Sequence, residues 1–124
     1  MRLLLLIGAG GFLGSISRYL VQQAALRQWP AAFPWGTLIV NMVGCFLVGI
    51  VYAWVERGQL PHAEWRLFLA TGFCGGFTTF SAFSHEAISL LREGQPIHFG
   101  IYVTASVVLG LTATMLAMWM VREV

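Results

Sequence analysis

Residues 72–86 read Gly-Phe-Cys-Gly-Gly-Phe-Thr-Thr-Phe-Ser-Ala-Phe-Ser-His-Glu, and they concentrate the chain's polar chemistry in an apolar stretch. Adjacent glycines are poor helix material, and adjacent threonine hydroxyls compete for backbone groups. The spacing therefore predicts a helix interrupted over these glycines and threonines, Gly75, Gly76, Thr78 and Thr79. Carbonyls freed at such an interruption can coordinate a cation. Phe77, Phe80 and Phe83 follow at i, i+3 and i+6, which predicts one helix face. Such rings usually just pack, yet their edges carry partial positive charge and can solvate part of a small anion. Thr79, Ser81 and Ser84 add hydroxyl donors nearby.

His85 beside Glu86, with Ser81 and Ser84 one turn back, has the composition of a hydrolase. Neighbouring helical residues diverge by about 100°, and no second region supplies an oxyanion hole or a properly spaced base. Glu86 reads instead as a pore-mouth or interhelical hydrogen-bonding group. Nothing indicates an ATP site or catalysis, so an enzyme is not expected.

Other polar positions are few. Arg18 lies past the middle of an apolar run. It either snorkels to the nearer interface or marks a pathway, since intramembrane charge is costly. Asn41 either bonds across to another helix or donates its amide hydrogens to a dehydrated anion. Tyr102, Ser106, Gly110 and Thr114 recur every four residues, forming a stripe that is either helix glue or a line of donors. Thr104 and Thr112 lie off it.

The elements that must position these groups are membrane spans. Of the 124 residues, 58% are hydrophobic and 10% charged, with a mean hydropathy of +0.77. An ordinary globular chain is about one quarter charged, so water is the wrong solvent for most of this surface. A bilayer core takes about 20 apolar helical residues. Four stretches qualify: about Leu3–Leu26, Trp35–Val55, Trp65–Leu91 and Ile97–Val121. Pro30, Pro34, Gly58, Pro61, Gly94 and Pro96 punctuate the connections. Trp29, Trp35, Trp54, Trp65 and Trp119 fall near span ends, as an aromatic belt requires. Residues 1–124 read as one all-α membrane domain of four transmembrane helices, the third broken mid-membrane, with no cleavable signal expected.

With four spans, Arg2, Arg57, Arg66 and Arg122 share a side, against Arg27 and Arg92 opposite. This is a weak positive-inside bias, compatible with insertion in both orientations. A unit this small has little room for a pathway of its own, which favours a homo-oligomer. The net charge of +2 is scattered and lacks a nucleic-acid footprint. The glycines at 8, 10, 11 and 14 imitate a dinucleotide loop. However, position 13 is Leu, no acid occurs before Glu56, and no strand–helix alternation follows. Gly10 and Gly14 read as small-residue helix packing, and no nucleotide is expected. Cys45 and Cys74 read as buried small hydrophobes rather than a disulfide or redox pair.

Three motifs then converge: Gly-Gly-x-x-Gly-x-x-x-Arg-Tyr over Gly10–Tyr19, Gly-Thr-x-x-Val-Asn-x-x-Gly over Gly36–Gly44, and the long run over Gly72–Glu86. The chain resembles the Fluc or CrcB family of small bacterial fluoride channels over essentially its whole length. The resemblance implies an antiparallel, dual-topology homodimer in the cytoplasmic (inner) membrane, with two passive fluoride pathways. It implies a central structural sodium ion on the backbone carbonyls of Gly75 and Thr78. Phe80 and Phe83 would be the pore aromatics, Asn41 and Ser81 donors, and Tyr102, Ser106 and Thr114 the polar track. Arg18, Thr79 and Glu86 would line the vestibule or support the path. Gly110 and Ala82 depart from the pattern where relatives can carry hydroxyls. A proton-coupled exporter of small cations or drugs is the competing class, and it would need a mid-span carboxylate, for which only Glu86 qualifies. A membrane scaffold subunit without ion flux is a third.

Overall fold

The computed structural model describes residues 1–30, 32–60 and 62–123. Pro61, expected to help break the second connection, lies outside them. The described residues are helical, with no strand among them. Four spans are long and apolar enough to cross a membrane: Arg2–Gln28, Trp35–Glu56, Ala63–Arg92 and Pro96–Glu123. The first, second and fourth are the single helices α1, α2 and α6. The third is composite: α3 (Ala63–Arg66), a π-helical stretch (Leu67–Cys74), α4 (Gly75–Phe77) and α5 (Phe80–Arg92).

Two connections end their helices by the same device. Gly58 and Gly94 adopt φ of 68° and 72°, a region cheap only for glycine. After α2, Gly58 N–H donates to Val55 C=O and Gln59 N–H to Trp54 C=O. After α5, Gly94 and Gln95 repeat this on Leu91 and Leu90. Both are Schellman caps, in which two orphan carbonyls are satisfied.

Glycines set which helices can touch. A Cβ on Gly10 or Gly14 of α1 would run into backbone atoms of Phe68, Phe73 and Phe77, and one on Gly76 would reach Gly11 C=O at 2.5 Å. The first and third spans therefore approach backbone to backbone, as small-xxx-small packing allows without a hydrophobic driving force in lipid. Likewise, Gly49 of α2 faces Thr114 C=O at 2.7 Å and the Ala117 methyl at 2.9 Å, which seats α6 against α2.

The large apolar side chains mostly point outward, as a lipid solvent requires. Leu4, Leu5, Leu111 and Met115 are exposed, as are all five tryptophans at the span ends. The buried centre is small, with Leu38, Ala87, Leu90 and Tyr102 at its heart. Arg2 pairs with Glu64 at 3.2 Å and Arg122 with Glu56 at 2.9 Å, while the Arg57 guanidinium donates to Val121 C=O. These contacts place the N-terminus, second connection and α6 end on one side. Both ion pairs are largely solvent-exposed, so Arg122→Ala should cost under about 1 kcal/mol. The thermal midpoint in detergent should move by no more than a few degrees.

Candidate functional site

The interruption falls on the threonines of the expected stretch and not on its glycines. Gly75 keeps helical angles (φ −63°, ψ −37°) within α4, and the extended residues are Thr78 (φ −82°, ψ 157°) and Thr79 (φ −150°, ψ 115°). The glycines tolerate the helix because Gly76 is needed for the close approach to Gly11. The threonines break it because their hydroxyls offer alternative bonds. Thr78 Oγ1 donates to Cys74 C=O at 2.8 Å. Thr79 Oγ1 caps α5 by accepting from Ala82 N–H at 3.2 Å, the N-cap role suited to threonine.

Asn41 of α2 completes the break. Its Oδ1 accepts from Thr79 N–H at 2.8 Å, and its Nδ2 donates to Thr79 C=O at 3.1 Å. In an unbroken helix Thr79 N–H would serve Gly75 C=O and Ala82 N–H would serve Thr78 C=O. Asn41 diverts the first donor and the Thr79 hydroxyl diverts the second. The two carbonyls singled out by resemblance thus lose their helical donors for identifiable reasons. Gly75 and Thr78 also line one cavity.

The same break corrects the expected aromatic face. Two extended residues fall between Phe77 and Phe80, so helical spacing does not carry across. Phe77 is buried and stacks on Phe73 with centroids 5.7 Å apart. Phe80 and Phe83 instead pair on α5 at 5.5 Å, tilted by 43°. Phe83 continues onto Tyr102 at 5.1 Å. Phe80 is 78% exposed.

A cavity of about 410 Å³ opens beside these groups. Asn41, Gly75, Thr78, Thr79, Phe80, Phe83 and Ser106 are in its wall, so seven positions from three spans converge. Ser81 is not in that wall, but its hydroxyl lies 3.2 Å from Thr79 Oγ1, which is. Ser106 Oγ is buried and has no hydrogen-bond partner among the described residues.

The remaining predicted positions separate from this cluster. Tyr102 is fully buried, and its hydroxyl donates to Glu86 Oε2 at 2.7 Å. Thr37 donates to Glu86 Oε1 at 2.8 Å, and Gln22 Nε2 donates to Thr37 Oγ1 at 3.1 Å. Glu86 is therefore an interhelical knot joining α1, α2, α5 and α6, while His85 beside it is exposed. Thr114 Oγ1 lies 3.1 Å from both Cys45 C=O and Gly110 C=O, tying α6 to α2. Gly110 is buried, yet an added Cβ would meet Cys45 and Met42 only at 3.5 Å. Glycine is thus not sterically demanded at that step. Arg18 is half-buried and makes no ion pair among the described residues.

Thr37 as a partner of Glu86, and Gln22 behind Thr37, are what sequence reading missed. Thr37 stood within a quoted motif without a role. Gln22 carries no charge, so a search for intramembrane charges passes over it, although a glutamine one turn beyond Arg18 is itself unusual at that depth.

The comparisons with known proteins fall on the whole chain. The profile of a family described as "CrcB-like protein, Camphor Resistance (CrcB)" matches residues 5–118. A Rhizobium etli protein named "Fluoride-specific ion channel FluC" is 51% identical over 118 residues, covering 95% of this chain and 94% of that one. Proteins of the same name from Phocaeicola vulgatus and Leptospira interrogans are 47% and 46% identical, each over 97% of this chain and covering 98% and 94% of their own lengths.

Proposed function

The chain belongs to the CrcB family, and from that premise we propose that it is a passive, fluoride-selective ion channel, not an enzyme. Its setting would be the bacterial cytoplasmic membrane, as an antiparallel, dual-topology homodimer with two pores. The observation that carries the reading is the orphaned Ser106 hydroxyl in a wall it shares with Asn41, Phe80 and Phe83. A buried hydroxyl left unpaired costs about 1–3 kcal/mol. An anion at that wall removes the cost.

Fluoride is small and strongly hydrated, so a narrow path must replace its water with good donors. Ser106, Ser81 and the second Asn41 amide hydrogen supply such donors, and the tilted Phe80–Phe83 pair supplies ring edges. Tyr102 and Thr114 continue the polar track along α6, and Arg18 adds positive charge against the anion's cost in low dielectric.

A sodium ion fits the donor set at the break: the carbonyls of Gly75 and Thr78 are oxygen ligands without helical donors. When bound, it supplies fixed positive charge near the anion path. One chain offers two such oxygens, and a second copy would double them. Irregular backbone is kept from lipid, and Gly75, Phe80 and Ser81, which flank the extended Thr78 and Thr79, are all exposed on this chain. A partner copy is the cover that fits both needs.

A proton-coupled exporter needs a carboxylate that binds and releases cargo. Glu86 has both oxygens engaged by hydroxyls, which disfavours that class.

The test is fluoride efflux from liposomes containing the purified protein, read by a fluoride electrode with a potassium ionophore present. Fast fluoride release without matching chloride release is expected. Equal leakage of both, or none, sinks the selective-channel reading. Phe80→Ile keeps apolar bulk but removes a ring edge, a loss of about 1 kcal/mol. Flux should then fall about fivefold while the dimer persists on size exclusion.

A further inference from the structure

Glu86 places a carboxylate against Tyr102 of the proposed polar track, and something must keep it from repelling the cargo. An ionised carboxylate only accepts hydrogen bonds. Here each oxygen has one hydroxyl donor, Thr37 at 2.8 Å and Tyr102 at 2.7 Å. Thr37 has a single hydroxyl hydrogen to give. Because Gln22 Nε2 donates to Thr37 Oγ1, that hydrogen cannot point back at Gln22 and is committed to Glu86. With the opposite amide orientation, the Gln22 carbonyl would compete for it and leave one Glu86 oxygen bare.

The packing brings the Gln22 amide to Thr37. Gly36 precedes Thr37, and a Cβ there would meet Gln22 Cα at 3.1 Å, Cγ at 3.3 Å and Cβ at 3.4 Å. The missing side chain at Gly36 is what lets Gln22 lie against α2 within reach of Thr37. Gln22 and Glu86 also line a common cavity of about 490 Å³, walled by Trp29, Phe33 and Trp35. Gln22 is thus the member of the chain Gln22–Thr37–Glu86–Tyr102 that belongs to α1 and meets this vestibule.

We propose that Gln22 is a positioning residue for conduction: its amide fixes the direction of the Thr37 hydroxyl and so keeps the Glu86 carboxylate tied down beside the vestibule. This rests on the channel reading above. The titratable and charged groups around it are Glu86 on α5, Tyr102 on α6 and Arg18 one turn back on α1. α2 contributes none there, and His85 and Glu93 line an adjoining cavity that shares Glu86.

The test substitutes Gln22→Glu and Gln22→Met and measures fluoride efflux at about pH 8 and about pH 5.5, against wild type and protein-free liposomes. Ionised, the new carboxylate can only accept, so it takes the Thr37 hydrogen and adds a like charge beside Glu86. Protonated in acid, the introduced carboxyl at position 22 regains a hydrogen to donate to Thr37. Gln22→Glu should lose about tenfold or more in flux at the higher pH and recover most of it at the lower. Gln22→Met should lose flux by a similar factor at both pH values, with an unchanged melting temperature. Rescue by acid in the glutamate variant alone is a signature that a packing role would not produce. If Gln22→Glu does not assemble, Gln22→Met decides: lost flux with wild-type melting supports the assignment, and unchanged flux overturns it. Efflux by Gln22→Glu equal to wild type at both pH values, or lost at both by assembled protein, also overturns it. A wild-type protein that passes no fluoride instead overturns the channel reading itself.

Discussion

Asn41→Leu should abolish fluoride conduction and straighten the third span. The wild-type amide makes two bonds to one peptide unit, accepting from Thr79 N–H at 2.8 Å and donating to Thr79 C=O at 3.1 Å. Leucine keeps the bulk and removes both. Each buried backbone group left unpaired costs about 1–3 kcal/mol, so the broken conformation loses roughly 2–6 kcal/mol. The chain relieves this in only one local way, by returning Thr79 N–H to Gly75 C=O and closing the helix. Closure withdraws one carbonyl from the proposed cation site and rotates Phe80 and Phe83 away from Ser106. Either outcome ends conduction, by a factor of a hundred or more if about 3 kcal/mol of the cost falls on the conducting state. Efflux from liposomes checks the function, and sodium-dependent thermal stabilisation of wild type but not the variant checks the site. Near-normal efflux by the leucine variant would mean that Asn41 neither holds the break nor serves the path.

The second large effect concerns assembly of the first and third spans. A methyl group on Gly14 would collide with Phe73 C=O and Phe77 N–H, backbone atoms within the composite span that cannot rotate aside. Ordinary overpacking costs about 1–3 kcal/mol. Here Gly14→Ala should reach or exceed the upper end, because relief requires moving a whole helix. Gly8→Ala, one turn and a half earlier on α1, is the control. Nothing lies within 4 Å of a Cβ there, and alanine is favoured over glycine in a helix by about 1 kcal/mol. The pair should separate on a detergent melt, with the Gly14 variant far below wild type and the Gly8 variant at or above it. Comparable midpoints would show that α1 does not pack on the third span as described.

Much of this protein is written in residue types. The number of spans follows from apolar length against bilayer thickness, and the caps at Gly58 and Gly94 follow from glycine's access to positive φ. The presence of a weak point in the third span follows from neighbouring threonines, whose hydroxyls bond locally. All of these are short-range consequences of the chain itself. Its exact place is not, since Gly75 and Gly76 look like the weaker helix formers yet stay helical, with Gly76 packed against Gly11.

What tertiary structure decided is which polar groups meet. Asn41 is 38 residues from Thr79 in sequence and Glu86 is 49 from Thr37, and no local pattern encodes either bond. Sequence left Asn41 open between anion donor and interhelical bond, and packing gives it the bond to the Thr79 backbone. It left Glu86 open between pore mouth and hydrogen-bonding group, and packing ties it by two hydroxyls. In a bilayer an unpaired polar group has no water to fall back on, so the partner that helix packing brings near fixes each side chain's role. The weakness of the third span at its threonines was therefore a property of the sequence, whereas the held break, the two freed carbonyls, the Phe80–Phe83 pair and the Gln22–Thr37–Glu86–Tyr102 chain exist only once the helices have closed.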